Sequence, residues 1–367
     1  MNSVIDNSKK LKGYIAEAAE MGIKVLTPDV NKSKEMYSIE GNSIRTGLRA
    51  LRNLGKMSIP IIEERTKNGP FTDIYDYINR LLNEVDKRAL ESLIYSGALD
   101  CFGKTRNTQI TAVPDILEYI KYIKKGNFEE IPFNLPIVNK LYSKLGELEI
   151  QDLEEFEELY LLNQEYEYTG MFISGHPLDK YTDILKLKGN LEIEKIIPED
   201  DESLDERPTS DYDGTVVSVS GIIKDLKQIV TKRGDKMYTF HLEDKTSSIR
   251  CVAFPKVTKS IEIMLEDNAL LFLTGKIQDD DGNIQMIVDD AKELKTLDFT
   301  EAKKVYINLS TQTLIDKDLK DFIDENPGTT EVWVKIAKGW VVSKSKINLN
   351  WTNYLKLKNK YQIQLDK

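Results

Sequence analysis

Residues 44–62, IRTGLRALRNLGKMSIPII, contain the most informative pattern in the first half of this chain. Its apolar residues Ile44, Leu48 and Leu51 recur at helical spacing and predict one short helix. A second helix is predicted from Met57 to Arg65. Because few residues separate the two segments, the stretch predicts two helices joined by a tight turn.

The turn between these helices is Asn53-Leu54-Gly55. Asn and Gly enter left-handed backbone conformations at the lowest cost, so the turn can leave main-chain N–H groups facing outward at the start of the second helix. Such N–H groups are a ready site for one phosphate. Four basic residues surround the turn, with no acidic residue between Ile44 and Ile62: Arg45, Arg49, Arg52 and Lys56. The pattern is typical of a helix-hairpin-helix motif that contacts DNA backbone rather than bases; the alternative is an ordinary helical corner with solvated arginines.

A second helix–turn unit is predicted from Val85 to Leu99. Lys87 and Arg88 begin its helix, and Gly97 makes its turn. We expect these residues to contact duplex DNA as well, although a purely structural partner for the first hairpin explains them equally well.

Beyond residue 205 the apolar period changes from helical to alternating, which indicates strands. Five strands are predicted, with a helix at residues 257–265 between the third and fourth: 215–223, 237–242, 249–254, 269–277 and 284–288. This order is typical of a small five-stranded OB-fold β-barrel. The last segment, 303–367, alternates strand and helix patterns and predicts a small α/β domain. The fold class is therefore multidomain α+β.

The predicted barrel carries basic and aromatic residues suited to single-stranded DNA: Lys227, Lys232, Arg233, Lys236, Tyr238, Phe240 and Arg250. Bases stack on aromatic rings while basic side chains follow the backbone. The alternative is that the lysines are merely solvated. Alternation also puts Tyr238 and Phe240 on one face, so both rings can equally belong to the core.

Charge and composition limit the remaining classes. The chain has 367 residues and a net charge of -10, and residues 147–167 contain nine acidic and no basic residues. Contact with a phosphate depends on the local field within about 8 Å, so this acidity does not exclude DNA. We expect no membrane association, because no apolar run approaches the ~18 residues that a spanning helix needs. Two distant cysteines and the absence of a secretory signal favour the cytoplasm.

No sequence pattern predicts catalysis, a cofactor or a metal site. His176 and His241 are the only histidines, and neither has partners at metal-ligand spacing. Phosphate-binding loops and nucleophile elbows are absent from the sequence. The acidic runs 199–202 and 279–281 are interpreted as a solvated linker and a turn, with Mg²⁺ binding as the minor alternative. We expect this chain to be inactive alone.

A family resemblance extends over essentially the whole chain. The segment YIAEAAEMGIKVLTPDVNKS, residues 14–33, resembles the end of the fingers region of bacterial replicative DNA polymerase III alpha subunits, the C-family polymerases. Later landmarks resemble that family in the same order: Ile44-Arg45, Gly47-Leu48, Asn53-Leu54-Gly55, Gly69-Pro70-Phe71, Lys87-Arg88, Gly97-Ala98-Leu99-Asp100, Ser174-Gly175-His176-Pro177-Leu178, Thr231-Lys232-Arg233-Gly234 and Leu242-Glu243-Asp244. One departure is Asn53, where the family usually has Gly.

The resemblance implies a domain order: a fingers remnant at 1–40, tandem helix-hairpin-helix elements at 41–140, an acidic helical connector at 141–206, the OB domain at 207–296 and the α/β domain at 297–367. The family's phosphoesterase-like domain and its catalytic palm lie upstream, and we expect the chain to begin inside a domain whose earlier part is absent. The implied partners are duplex DNA, the single-stranded template, the clamp-loader tau subunit and the sliding clamp. For the clamp peptide, only the poor matches 128–133 and 151–156 are found.

The leading hypothesis is a non-catalytic C-terminal part of a replicative polymerase that supplies DNA grip and partner contacts. The second hypothesis is a stand-alone accessory protein that binds single-stranded DNA. A nuclease built on the acidic clusters is the third.

Overall fold

The computed structural model describes residues 1–5, 8–124, 152–197, 209–280, 282–309 and 316–367. The chain divides into two compact units, Met1–Pro177 and Leu178–Lys367. This boundary falls inside the predicted connector 141–206, so the domain limits expected from the resemblance stay predictions.

The first unit is mainly helical. A small sheet in the order β1-β3-β2 consists of β1 (Lys24–Leu26), β2 (Ser38–Glu40) and β3 (Ser43–Arg45). In its described residues six helices accompany the sheet: α1 (Ser8–Glu20), α2 (Ser58–Asn68), α3 (Ile74–Arg80), α4 (Lys87–Tyr95), α5 (Arg106–Lys124) and α6 (Glu158–Thr169). A short 3-10 helix, Gly55–Met57, runs directly into α2.

The sequence of helix α4 supplies both a cap and an apolar face. The side chain of Asp86 accepts a hydrogen bond from the N–H of Ala89 at 2.7 Å, which satisfies one free donor at the helix start. Leu90, Leu93 and Ile94 are fully buried against neighbouring helices. Burying one such side chain stabilises the fold by about 1.5–3 kcal/mol.

The helix predicted over residues 44–51 is not formed. Ser43–Arg45 is a strand, and Leu48–Ala50 is a single 3-10 turn. The backbone at Gly47 packs so closely on Met36 that an added Cβ would lie 2.4 Å from its carbonyl carbon. The N–H groups of Leu48 and Arg49 bond to the carbonyls of residues 34 and 35, at 2.9 Å each, instead of entering a helical ladder.

Helix α5 runs through Pro114, although a proline inside a helix removes one backbone hydrogen bond and usually kinks or interrupts the helix. The acidic segment is described only from residue 152 onward, and the 128–133 clamp-peptide candidate lies outside the described residues.

The second unit contains a closed five-stranded barrel, as predicted. Helix α7 (Thr182–Lys188) precedes it. The barrel elements are β4 (Val216–Val230), β5 (Lys236–Glu243), β6 (Ser248–Ala253), α8 (Pro255–Ile261), β7 (Leu270–Asp280) and β8 (Asn283–Glu293). The strands close in the order β4-β5-β6-β8-β7. The helix between the third and fourth strands and the closed order confirm the OB-type barrel.

The end of the chain forms a four-stranded sheet in the order β11-β10-β9-β12. Its elements are β9 (Lys304–Leu309), α9 (Lys317–Glu325), β10 (Pro327–Ile336), β11 (Gly339–Val342), α10 (Trp351–Lys360) and β12 (Gln362–Asp366). Strand β12, which pairs antiparallel with β9, was not predicted from the sequence pattern. The predicted α+β class is confirmed. Within the described part of the chain, no helix is both long and apolar enough to cross a membrane.

Candidate nucleic-acid interface

The turn at Asn53-Leu54-Gly55 has the left-handed backbone that its residue types predict. Asn53 has φ 62° and Gly55 has φ 42°. Asn53, Gly55 and Lys56 are exposed, whereas Leu54 is 1% exposed in the helical core. The buried Leu54 therefore fixes the turn while its neighbours face solvent.

Two hydrogen bonds from distant segments hold the turn in place. The N–H of Arg52 donates to the carbonyl oxygen of Tyr168 on α6 at 2.8 Å. The carbonyl oxygen of Arg52 accepts from the hydroxyl of Ser92, a fully buried residue on α4, at 2.5 Å. The turn is thus attached to two helices that follow it in the sequence.

The start of the next helix presents free donors at this turn. The N–H groups of Gly55 and Lys56 have no acceptor among the residues that the structure describes. The hydroxyl of Ser58 donates to the carbonyl of Gly55 at 2.9 Å and leaves those N–H groups unused. Unused N–H groups and the positive end of a helix dipole favour an anion.

The arginines beside the turn pair with carboxylates that are remote in sequence. Arg49 lies 3.4 Å from Glu35, and Arg52 lies 3.2 Å from Glu167. Both pairs are exposed, so each contributes at most about 1 kcal/mol and can be exchanged for a phosphate. Lys56 has no ion-pair partner in the described residues. The stretch that is free of acidic residues in sequence is therefore partly neutralised in space.

Arg45 has a different environment from the other predicted contacts. It is 9% exposed, donates to both carboxylate oxygens of Glu40 at 2.6–2.8 Å and donates to the carbonyl of Thr27 at 2.6 Å. The hydrogen bonds from Arg45 lower the pKa of Glu40. Because its guanidinium is committed to this strand pair, Arg45 does not belong to the proposed DNA contacts.

The second helix–turn unit likewise contains both exposed and buried members of the predicted set of contacts. Lys87 and Arg88 are exposed at the start of α4, with Lys87 3.5 Å from Glu91. Gly97 is buried beneath Arg106, whose guanidinium pairs with both carboxylate oxygens of Asp100 at 2.8–3.0 Å. The N–H of Gly97 already donates to the carbonyl of Ile94 at 3.0 Å. Gly97 is thus a helix C-terminal turn rather than a phosphate contact.

The basic residues predicted on the barrel are exposed. Lys227 lies on β4, Arg250 on β6, and Lys232 and Arg233 at the tip of the β4–β5 hairpin. Among the described ion pairs only Lys236 of this set takes part, 2.6 Å from Glu262. Four cations of the barrel therefore have no ion-pair partner in the described chain.

Tyr238 and Phe240 lie inside the barrel and are not placed to stack on a base. They are 7% and 2% exposed, because alternate residues of β5 face the core. Phe254, at the end of β6, is 46% exposed. Alternation puts Phe254 on the same face of β6 as Arg250, which is exposed, and Val252, which is 5% exposed. Phe254 was not among the predicted contacts, although its place in the alternation of β6 could have pointed to it.

The acidic clusters serve the fold where they are described. Asp279 accepts from the N–H groups of Ser210 and Gly282, each at 2.8 Å, and so closes turns. Residues 198–208 and 281 lie outside the described part. Among the residues that are described, no three His, Cys, Asp or Glu side chains are grouped as metal ligands.

Two family models match these regions. A helix-hairpin-helix motif model matches residues 22–109, and an OB-fold nucleic acid binding domain model matches residues 217–294. DNA polymerase III subunit alpha of Bacillus subtilis is 30% identical over 344 residues, which cover 91% of this chain. The chain is homologous to part of the DNA polymerase III alpha subunit.

Other comparisons define the extent of this homology. The alpha subunit of Buchnera aphidicola is 27% identical over an alignment that covers 100% of this chain. The chain spans only 29% and 31% of the lengths of these two alpha subunits. Among solved structures, the second OB-fold domain of replication protein A from Methanococcus maripaludis matches 22% of this chain and 85% of its own, at 15% identity and a TM-score of 0.19.

Proposed function

We propose that this chain is a DNA-gripping part of a replicative polymerase alpha subunit, with a duplex-binding turn and a single-strand-binding barrel. The proposal is carried by the pair of unused N–H groups at Gly55 and Lys56 beside two exposed basic side chains. These donors suit a phosphate oxygen, because main-chain N–H groups and a helix start favour anions.

The duplex contact is to the backbone and independent of base sequence. The turn presents main-chain N–H groups, which suit phosphate oxygens, and phosphate contacts carry no sequence information. Arg52 and Lys56 add charge at the same place, and Arg49 lies in the same corner. Lys87 and Arg88 at the start of α4 provide a second set of cations for the same duplex.

The single-strand contact lies on the outer face of the barrel. Lys227 and Arg250 follow the backbone of the strand there, and Phe254 offers a ring on which one base stacks. Lys232 and Arg233 extend the positive surface along the hairpin.

The partners and the location are proposed from the homology. The parent subunit would be a DNA-directed polymerase, to which this chain contributes grip rather than nucleotidyl transfer. We propose the clamp-loader tau subunit as the partner of the terminal domain, and the cytoplasm as the location. For the sliding clamp, the described part of the 151–156 candidate packs the ring of Phe156 on Tyr160 at 4.6 Å, which speaks against a free peptide there.

The test measures the affinity of the full chain for several duplexes of unrelated sequence, by fluorescence anisotropy at several salt concentrations. We expect Arg52→Ala and Lys56→Ala to lower the affinity for every duplex equally. The slope of the logarithm of affinity against the logarithm of salt concentration should become shallower by roughly 0.9 for each phosphate that is no longer neutralised. Lys67→Ala is the matched control, because Lys67 is an exposed lysine at the opposite end of α2. A loss of affinity that depends on the duplex sequence would contradict backbone grip.

Comparison with single strands separates the alternatives. An accessory protein for single-stranded DNA would bind the single strand but not the duplex, and Lys56→Ala would leave its affinity for the single strand unchanged. A nuclease would cleave either substrate in the presence of Mg²⁺.

A further inference from the structure

The open face of the C-terminal sheet has features that neither the turn nor the barrel explains. Side chains of β9 and β10 alternate: Val305, Ile307, Val332 and Val334 are fully buried against the helices. Among the residues that the structure describes, no helix of this sheet covers the opposite face, which bears Tyr306, Trp333 and Trp340.

These three rings form one aromatic surface. The ring of Tyr306 lies 6.1 Å from that of Trp333 and 5.4 Å from that of Trp340. Trp340 is 51% exposed, while Tyr306 and Trp333 are half-buried. A contiguous group of exposed aromatic side chains is typical of a binding surface.

Lysines line the same surface. The ammonium of Lys304 lies 5.7 Å from the ring of Trp333, and that of Lys335 lies 5.9 Å from the ring of Trp340. Lys338 is in the turn between β10 and β11. Two acidic residues belong to this face by register: Glu331, which pairs with Lys346 at 3.2 Å, and Asp366.

The charge of this segment is the reverse of that of the chain. Residues 332–365 contain seven lysines and no Asp or Glu, in a protein whose net charge is -10. Lys356, Lys358 and Lys360 of this set lie on α10, on the other side of the sheet. A positive field over exposed rings suits a polyanion that also has flat aromatic groups.

We propose that the open face of the C-terminal sheet, the aromatic surface of Tyr306, Trp333 and Trp340, binds single-stranded nucleic acid independently of the barrel. Bases stack on Trp340 and the adjoining rings. Lys304 and Lys335 move from the rings to the phosphates, which are stronger partners for an ammonium than a ring face.

The test is photochemical crosslinking of the full chain to 5-iodouracil-containing oligonucleotides, as DNA and as RNA, with the crosslinked peptides mapped by mass spectrometry. We expect crosslinks on residues 304–308 and 333–342. Trp340→Ala should lower the yield on these peptides at least about fivefold, since removal of one base stack accounts for that much. Crosslinks on the barrel should not change.

Leu355→Ala is the matched control, because Leu355 is an apolar residue, 41% exposed, on α10. If Trp340→Ala unfolds, as judged by circular dichroism, Lys335→Glu gives the same test through charge, with Lys356→Glu as its control. Crosslinks with either polymer support the proposal, and the stronger one identifies the nucleic acid.

Crosslinks confined to the barrel would overturn this proposal while leaving the barrel's proposed function intact, and the aromatic surface would then fit a protein partner. If neither oligonucleotide binds the chain at all, the proposals for the aromatic surface and for the barrel are both overturned. Unchanged yields in both the tryptophan and the lysine variants would also overturn it.

Discussion

The hydroxyl of Ser92 donates a hydrogen bond to the carbonyl oxygen of Arg52 at 2.5 Å, across 40 residues of sequence. Ser92 is fully buried on α4, and Arg52 is the last residue before the left-handed turn. The orientation of the proposed phosphate site therefore depends on a helix that belongs to the second helix–turn unit. The two helix–turn units therefore form one structure around this turn.

Ser92→Ala should loosen the turn. Removal of the hydroxyl leaves the Arg52 carbonyl without this donor, and we expect about 1 kcal/mol lower free energy of unfolding with weaker duplex binding. Urea unfolding and anisotropy measure the two effects. Ser96→Ala is the control, because Ser96 is equally buried but donates to Leu93 in its own helix at 3.2 Å. Equal decreases of affinity in the two variants would contradict the role of Ser92.

Gly55→Ala should weaken duplex binding through the backbone alone. An added Cβ meets nothing within 4 Å, but φ 42° is a left-handed conformation that alanine adopts at a cost of about 1–2 kcal/mol. Gly103→Ala provides the comparison, since Gly103 has φ 72° and equally open space in the same unit. Both variants should be less stable in thermal unfolding. Only Gly55→Ala should bind duplex DNA less tightly, and an equal decrease in Gly103→Ala would argue against the turn as the site.

Phe254→Ala should reduce affinity for single-stranded DNA by about 1–3 kcal/mol, the usual effect of removing one base stack. Anisotropy with labelled oligothymidine measures this change. Ile263→Ala is the matched control, because Ile263 is an apolar residue of the same unit that is 93% exposed. Unchanged single-strand affinity in Phe254→Ala, with an intact fold, would remove the ring from the proposed barrel contact.

Glu165→Gln should change the pH dependence of stability. Glu165 is fully buried, and its Oε1 accepts from the N–H groups of Ile173 and Ser174 at 2.5 and 2.9 Å. Burial raises the pKa of Glu165 above its ordinary value of 4.5, despite these hydrogen bonds and the charge of Arg106. The folded state therefore binds more protons than the unfolded state between 4.5 and the raised pKa, and stability falls as pH rises through that window.

The glutamine variant lacks this titrating proton and should lack its contribution to stability. The difference in melting temperature, wild type minus variant, should become more favourable to the wild type as pH falls from neutral toward 4.5. Thermal unfolding of both proteins over that range measures it. A difference in melting temperature that stays constant over this pH range would contradict the raised pKa of Glu165.

Local pattern predicted much of this molecule. Alternation along β5 and β6 predicted strands, and the same alternation decides that Phe240 is buried and Arg250 is exposed. Asn53 and Gly55 predicted a left-handed turn because their backbone preferences belong to the residues themselves. The helix from residue 58 and the capped helix from residue 87 likewise follow from nearby residues.

Other features depended on segments that meet only in space. Glu35 and Glu167 pair with Arg49 and Arg52 from 14 and 115 residues away, so the acid-free stretch in sequence is not acid-free in the fold. The predicted first helix does not form because Gly47 packs on the backbone of Met36.

Local sequence patterns thus account for the periods of the helices and strands, the turn and the class of fold, since these follow from the conformational preferences and spacing of adjacent residues. The folded chain was needed to show which arginines stay available to a phosphate, that β12 completes the last sheet, and that Trp340 lies beside Tyr306 on an open face. Ion pairing, burial and sheet pairing depend on distances between residues that the order of the chain does not specify.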